Sequence, residues 1–318
     1  MASRSRSARR LTAWALRRQG RDTLPRTLGA RRLYILPTRA GGGFALLLLG
    51  MLVAGLNYGN NLVLLLGFIL AGFGLVAMYD THRMLAGLVL RQAQALPAFA
   101  GQPGRIELRL ENPTAHPRRA LWLQCPGASA IRVDLPAHGA ATVQLPYLAG
   151  HRGLQPIESI ELSTRAPLGL FRSWAWLTPP LVATIYPAPL RLRPMPPPAG
   201  QQHATQPALA AGTDEWAWLR PYRHGDSRQR IAWKTYARGG ALQVAQYVGD
   251  GGGERRLDFE QLPGLDTEQR LSQLCAWILD CDSRGESWSL ALRTCQLSPD
   301  RGPAHRRASL EALAHFGR

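Results

Sequence analysis

Cysteine is scarce in this chain. Four cysteines in 318 residues cannot brace the fold as a disulfide framework. Lysine is nearly missing as well: Lys234 stands alone among 38 basic side chains, and the other 37 are arginine. Acid is short, with 21 Asp and Glu leaving a formal charge of +17. Residues 41–79 lack charge altogether. These shortages exclude a secreted disulfide-rich protein and a plain soluble globule. The single long charge-free tract excludes a many-spanning transporter.

What is present begins with arginine. Residues 1–40 carry 11 arginines and one acid, Asp22, so this basic N-terminal segment supplies +10 of the +17. A cleaved secretory signal would have a shorter basic region and a small-residue cleavage site; here the charge-free tract follows, and in it one apolar stretch is succeeded at once by a second. It divides into Gly41–Leu56 and Leu62–Tyr79 around the polar turn Asn57-Tyr58-Gly59-Asn60-Asn61. Each run reaches or approaches the roughly 20 residues that cross a bilayer. The pattern predicts a two-helix transmembrane hairpin over residues 41–80. Gly50, Ala54, Gly67, Ala71 and Gly74 offer small surfaces for close helix packing. No ionisable group lies within either span, so the hairpin alone offers no ion path.

Positive charge stays on the cytoplasmic side. The arginines before the hairpin, and His82, Arg83 and Arg91 after it, predict that both flanks are cytoplasmic. The soluble domains should therefore face the cytoplasm, where free cysteines are at home. Membrane lipid is an expected partner, because arginines near an anionic leaflet are attracted to it. Nucleic acid is not, since the charge is concentrated beside the hairpin and only +7 is spread over the other 278 residues.

Residues 86–190 read as a small antiparallel β-sandwich-like domain. Ile106, Leu108 and Leu110 alternate with Glu107 and Arg109. Ile131, Val133 and Leu135, then Val143 and Leu145, then Ile160 and Leu162 repeat the period of two. Leu181–Tyr186 reads as a further strand. Pro167–Phe171 forms an apolar turn. Trp174 and Trp176 share one face of a strand; packing in a core or between domains is preferred for them over a ligand-stacking platform. His116, His138 and His151 fall on turns and read as surface residues.

Residues 191–213 form a Pro-rich linker. The densest chemistry lies beyond it, in residues 214–318. Leu219-Arg220-Pro221-Tyr222-Arg223-His224-Gly225-Asp226 is followed by Arg230-Ile231-Ala232-Trp233-Lys234 and Ala237-Arg238. Gly225-Asp226 marks a turn, and Asp226 can cap a short helix with Gln229 three residues on. On that helix Arg230, Lys234 and Arg238 would form one basic stripe. One reading is an internal network, in which Asp226 and Glu215 pair with arginines. The other is a recognition surface for carboxylate or phosphate groups. Catalysis would have to use His224 and Asp226, but no nucleophile accompanies them, and neighbouring arginines would keep Asp226 ionised and a poor base.

This string resembles the signature of the DUF58 family of bacterial inner-membrane proteins, whose soluble part is related to the von Willebrand factor A fold. Leu219, Arg220, Tyr222, Gly225, Asp226, Arg230, Ile231, Trp233, Lys234, Ala237 and Arg238 are in register with it. His224 stands where proline is usual. The resemblance extends over residues 31–318 and implies a reduced von Willebrand factor A-like α/β domain at the C-terminus. It also implies a non-enzymatic membrane scaffold or assembly factor working with a MoxR-type AAA+ ATPase, and with a transglutaminase-like membrane protein. Arg220, Tyr222, Arg223, Gly225, Asp226, Arg230, Trp233, Lys234 and Arg238 are then the candidate binding residues. A hydrolase or transferase using His224 and Asp226 is the alternative.

The C-terminal block itself reads as strand, helix, strand, helix. Arg256–Phe259 is a strand, and Asp266 opens a helix with Leu271, Leu274, Cys275 and Ile278 as its apolar stripe. Ser287–Leu292 is a strand, and Pro303 starts a last helix carrying Leu310, Leu313, Ala314 and Phe316. Cys275 and Cys281 diverge around the helix and read as packing residues. The family fold usually holds a divalent cation through Asp-x-Ser-x-Ser. Asp258 occupies the aspartate position, but both serines are absent, so neither a metal nor a cofactor is expected.

Overall fold

The computed structural model describes residues 22–198, 218–221, 243–246 and 254–317. The chain divides into two compact units between Ala188 and Pro189.

In the first unit, helices α1 (Arg39–Asn57) and α2 (Asn61–Arg83) form the hairpin. Thr38 caps α1 by accepting from the Gly41 amide, and Asn60 caps α2 by accepting from the amides of Leu62 and Val63. Such caps satisfy amides that have no partner inside a helix. Both helices run a few residues beyond the charge-free tract, because no glycine or proline breaks them at Arg39 or across Asp80–Arg83. The two pack tightly where side chains are small: a Cβ on Gly55 would meet Leu64 at 2.7 Å. Their outer surfaces are open. Only 11% of the apolar window of α1 and 17% of that of α2 are buried. Leu46 and Leu56 are 70% and 72% exposed, which is incompatible with a hairpin buried in a soluble core.

Three mostly antiparallel sheets make the β-domain. One is β1 (Arg26–Thr27), β3 (Val89–Ala95), β5 (Pro103–Glu111) and β8 (Ala140–Leu148), in that order. The second runs β2 (Tyr34–Pro37), β11 (Phe171–Leu177), β10 (Ile160–Thr164), β6 (Arg118–Gln124) and β7 (Ile131–Leu135). The third is β4 (Ala98–Phe99), β12 (Leu181–Tyr186) and β9 (Gly153–Ile157), with β4 and β12 parallel. Alternation decides which face is inside. Ile106, Leu108 and Leu110 oppose Leu145, Val143 and Ala141 across the first sheet, while Leu162 lies between Leu123 and Ala175 in the second. These side chains meet in one core.

Two features depart from the sequence pattern. Residues 22–37, which composition places with the basic segment, supply strands β1 and β2 to the domain. The tryptophan pair also sits elsewhere than in the core. Along β11 the buried positions are Ser173, Ala175 and Leu177, so Trp174 and Trp176 occupy the opposite, half-buried face. There Trp174 stacks on Tyr34 of β2 with ring centroids 5.6 Å apart. His116, His138 and His151 are exposed, as the turns around them imply.

The second unit contains a two-stranded ribbon, β13 (Trp218–Pro221) with β14 (Gln243–Gln246). It also contains a βαβ arrangement. Strand β15 (Arg255–Asp258) leads through helix α3 (Thr267–Arg284) to the parallel strand β16 (Trp288–Ala291), which pairs with β17 (Gln296–Asp300). Helix α4 (Pro303–His315) follows. Asp266 and Gln269 form a reciprocal capping box at the start of α3, and Gly285, at φ 67°, ends it. Leu271, Leu274, Cys275 and Ile278 are fully buried, together with Cys281, Leu313 and Ala314. Residues 190–193 of the Pro-rich stretch lie along α3. The Leu190 amide donates to Ser272 O, and the amides of Leu192 and Arg193 donate to Gln273 Oε1.

Candidate functional site

The strongest structural feature is the way the hairpin is mounted. Strands β1 and β2 precede α1, whereas β3–β12 follow α2. Yet β1 pairs with β3, and β2 pairs with β11. Chain on both sides of the hairpin is thus built into the same sheets. If the helices cross a layer, the segment before them and the domain after them must lie on one side of it.

Both helix roots are fixed. At the α1 root, the Thr38 amide donates to Leu170 O at 2.8 Å, and Thr38 Oγ1 donates to Gly169 O at 2.6 Å. At the α2 exit, Arg118 reaches from β6 to Ala86 O at 2.9 Å. Arg118 is only 2% exposed. It is held by neutral acceptors, Asn112 Oδ1 and Thr114 Oγ1, at 3.3 and 3.1 Å. Burial, and secondly the charge of Arg83, push its pKa below the usual arginine value. Asn112 in turn donates to His116 O and Pro136 O. Asn112 and Thr114 thus hold the arginine that braces the α2 exit.

Asp22, the lone acid of the basic segment, is 3% exposed. It accepts from the Thr178 amide at 2.9 Å and from Arg32 at 2.7 Å, with Arg26 at 3.3 Å. It locks the start of the described chain onto the turn before β12.

The polar signature is placed only at its edge. Arg220 lies on β13, opposite Val244 of β14. Pro221 pairs with Gln243 at neighbouring-strand distance. Tyr222, Arg223, Gly225, Asp226, Arg230, Trp233, Lys234 and Arg238, and also His224, lie outside the described residues.

Several other described side chains, most of them in the second unit, are engaged locally. Asp258 accepts from the Glu260 amide at 3.0 Å and pairs with Arg256 at 3.3 Å. Glu260 is held by Arg293 at 2.6 Å, and this hydrogen bond keeps its carboxyl below the usual carboxylate range. Arg270 and Arg293 also lie over the Phe259 ring. Arg255 forms a two-pronged pair with Glu286, Nη2 lying 2.9 Å from Oε1. Burial pushes the thiols of Cys125 and Cys275 up to about 12, and that of Cys281 to about 11. Thiols held in that range are packing groups rather than nucleophiles. The buried imidazole of His305 bonds Trp288 O at 2.9 Å, and Trp288 Nε1 donates to Ser309 Oγ; this is a brace within the core.

No family model matches this chain, no curated protein does, and no solved structure does.

Proposed function

We propose that the chain is a non-enzymatic scaffold anchored in the bacterial inner membrane by α1 and α2, with both soluble units in the cytoplasm. The mount carries this reading. Two exposed apolar helices, long enough to cross a bilayer, are rooted at both ends in one β-domain. Arginine before the hairpin supports a cytoplasmic position for that domain.

The partner is a MoxR-type AAA+ ATPase, with a transglutaminase-like membrane protein in the same assembly. Support for this comes from the resemblance of residues 219–238 to the DUF58 signature. The β15–α3–β16 unit is consistent with a reduced von Willebrand factor A-like domain. The contact surface is the signature itself, with Arg220, Arg223, Arg230, Lys234 and Arg238 supplying charge. Such charges steer and orient a partner more than they add affinity.

The test is crosslinking in intact membranes, followed by recovery of the tagged chain. The ATPase should be recovered with the wild type and lost with Arg220→Glu/Arg230→Glu/Arg238→Glu. Unchanged capture by that variant, with folding intact, would remove the surface from the account.

A further inference from the structure

A cavity of about 530 Å³ lies at the root of α1. Its walls come from two places: Leu36–Ala40, which lead into the helix, and Arg165, Gly169, Arg172 and Trp174 around the β10–β11 turn. Three of these residues are arginines, and none is an acid. Arg172 is already committed. It pairs with Glu161 and lies 5.5 Å from the centroid of the Trp174 ring. Arg39 and Arg165 are exposed, and their guanidinium groups make no ion pair or hydrogen bond with the other described residues.

The walls are braced by contacts within the domain. Tyr34 backs Trp174 by stacking, and Thr38 ties the helix start to Gly169 and Leu170. Beside the arginines are apolar groups open to the outside. Leu36 is 59% exposed and Leu168 49%. Two unpaired guanidinium groups over a preformed hollow fit the oxygens of a phosphate, which arginine can grip with paired N–H donors. An aromatic wall and the exposed Leu36 and Leu168 fit the apolar part of the same ligand. The position decides which phosphate. Residue 39 opens α1 and the apolar run starts two residues later, so the cavity lies at headgroup depth when the helix spans a bilayer.

From this geometry we infer that the α1-root cavity is a binding site for one anionic phospholipid. Arg39 and Arg165 hold the phosphodiester, and Arg172 and Trp174 form the wall behind it. The inference rests on the membrane reading above and adds a specific lipid to it. The site would fix the depth and orientation of the β-domain against the leaflet.

The experiment uses the full chain, extracted from vesicles of phosphatidylcholine containing phosphatidylglycerol and examined by native mass spectrometry. Three proteins are compared: wild type, Arg39→Gln/Arg165→Gln, and Arg109→Gln/Arg119→Gln, which removes the same charge from exposed positions elsewhere on the domain. Wild type and the second variant should each retain one phosphatidylglycerol. Retention should fall by roughly tenfold or more in the first variant, while all three resist extraction by alkaline carbonate. Equal retention by all three, or equal loss in both variants, would overturn the site and leave the membrane reading intact. Release of the wild type by carbonate would overturn the membrane reading and the site with it. Displacement of the lipid by millimolar inorganic phosphate would show an ion site and overturn the lipid assignment.

Discussion

Gly41 faces the carbonyl of Leu170 so closely that a Cβ there would lie 2.0 Å from the oxygen. The first turn of α1 therefore seats directly on the backbone of the β10–β11 turn, and only glycine allows it. A methyl group would lever the helix root away. Gly41→Ala should destabilise this junction by about 1–3 kcal/mol, the usual cost of overpacking. The readout is hydrogen exchange at the Thr38 amide, which donates to Leu170 O. It should accelerate at the junction, while exchange in β5 stays slow.

Asp22 offers a second test of the mount. Its carboxylate gathers the Thr178 amide and hydroxyl together with Arg26 and Arg32. Asp22→Ala removes an acceptor of charged hydrogen bonds and takes the Asp22 carboxylate away from the buried Thr178 amide. The expected loss is about 2–3 kcal/mol, measured by urea unfolding of the full chain in detergent. An unchanged midpoint would show that the segment before α1 does not brace the domain.

The second unit should lose stability in acid through Glu286. Its hydrogen bond from Arg255 holds the folded carboxyl below its ordinary value of 4.5, despite an opposing effect of burial. A carboxyl with a lowered folded pKa stabilises above the unfolded value. That contribution starts to fade near pH 4.5 and is lost as pH falls through the folded value. Hydrogen exchange across β15 and β16 should therefore accelerate below about pH 4.5. Glu286→Gln should flatten that dependence and lower stability at neutral pH.

Thiol labelling checks the packing of both units. Cys125, Cys275 and Cys281 are buried, and Cys295 is partly exposed. A maleimide at neutral pH should modify Cys295 alone in the native chain and all four cysteines after denaturation. Rapid native labelling of Cys275 or Cys281 would contradict the packing of α3.

How much of this was legible follows from where each signal is stored. The hairpin is written in composition, because 39 uncharged residues around one polar turn have few soluble solutions. The alternation Ile106, Leu108, Leu110 predicts a half-buried strand, and the side chains are fully buried as that period requires. Strand β2 is not legible. Tyr34-Ile35-Leu36-Pro37 has no clear alternation, sits among arginines, and is defined by pairing with Phe171–Trp174, far away in sequence. Strand β17 is hidden similarly. Gln296–Asp300 is almost wholly exposed and contains Pro299, which an edge strand tolerates.

The site was legible in part. Arg39, Arg165 and Arg172 are ordinary arginines in the sequence, and only the approach of the β10–β11 turn to the α1 root gathers them. Trp174 and Trp176 share a face, as the period of two requires, but that period does not say which face is the core. Ser173 and Ala175, small and buried, hold the inner side instead. The signature around Asp226 is legible in its residue types alone, and of it the described residues include only Arg220 with its neighbours on β13.

The central claim is that the hairpin turn and the β-domain lie on opposite sides of a membrane. Single cysteines at Tyr58, in the turn, and at Arg119, on β6, test it most directly in a chain carrying Cys295→Ser. The reagent is a membrane-impermeant maleimide applied to intact cells and to inverted inner-membrane vesicles. The account predicts that Tyr58→Cys is labelled only from outside the cell and Arg119→Cys only in inverted vesicles. Labelling of both positions from the same face would contradict it.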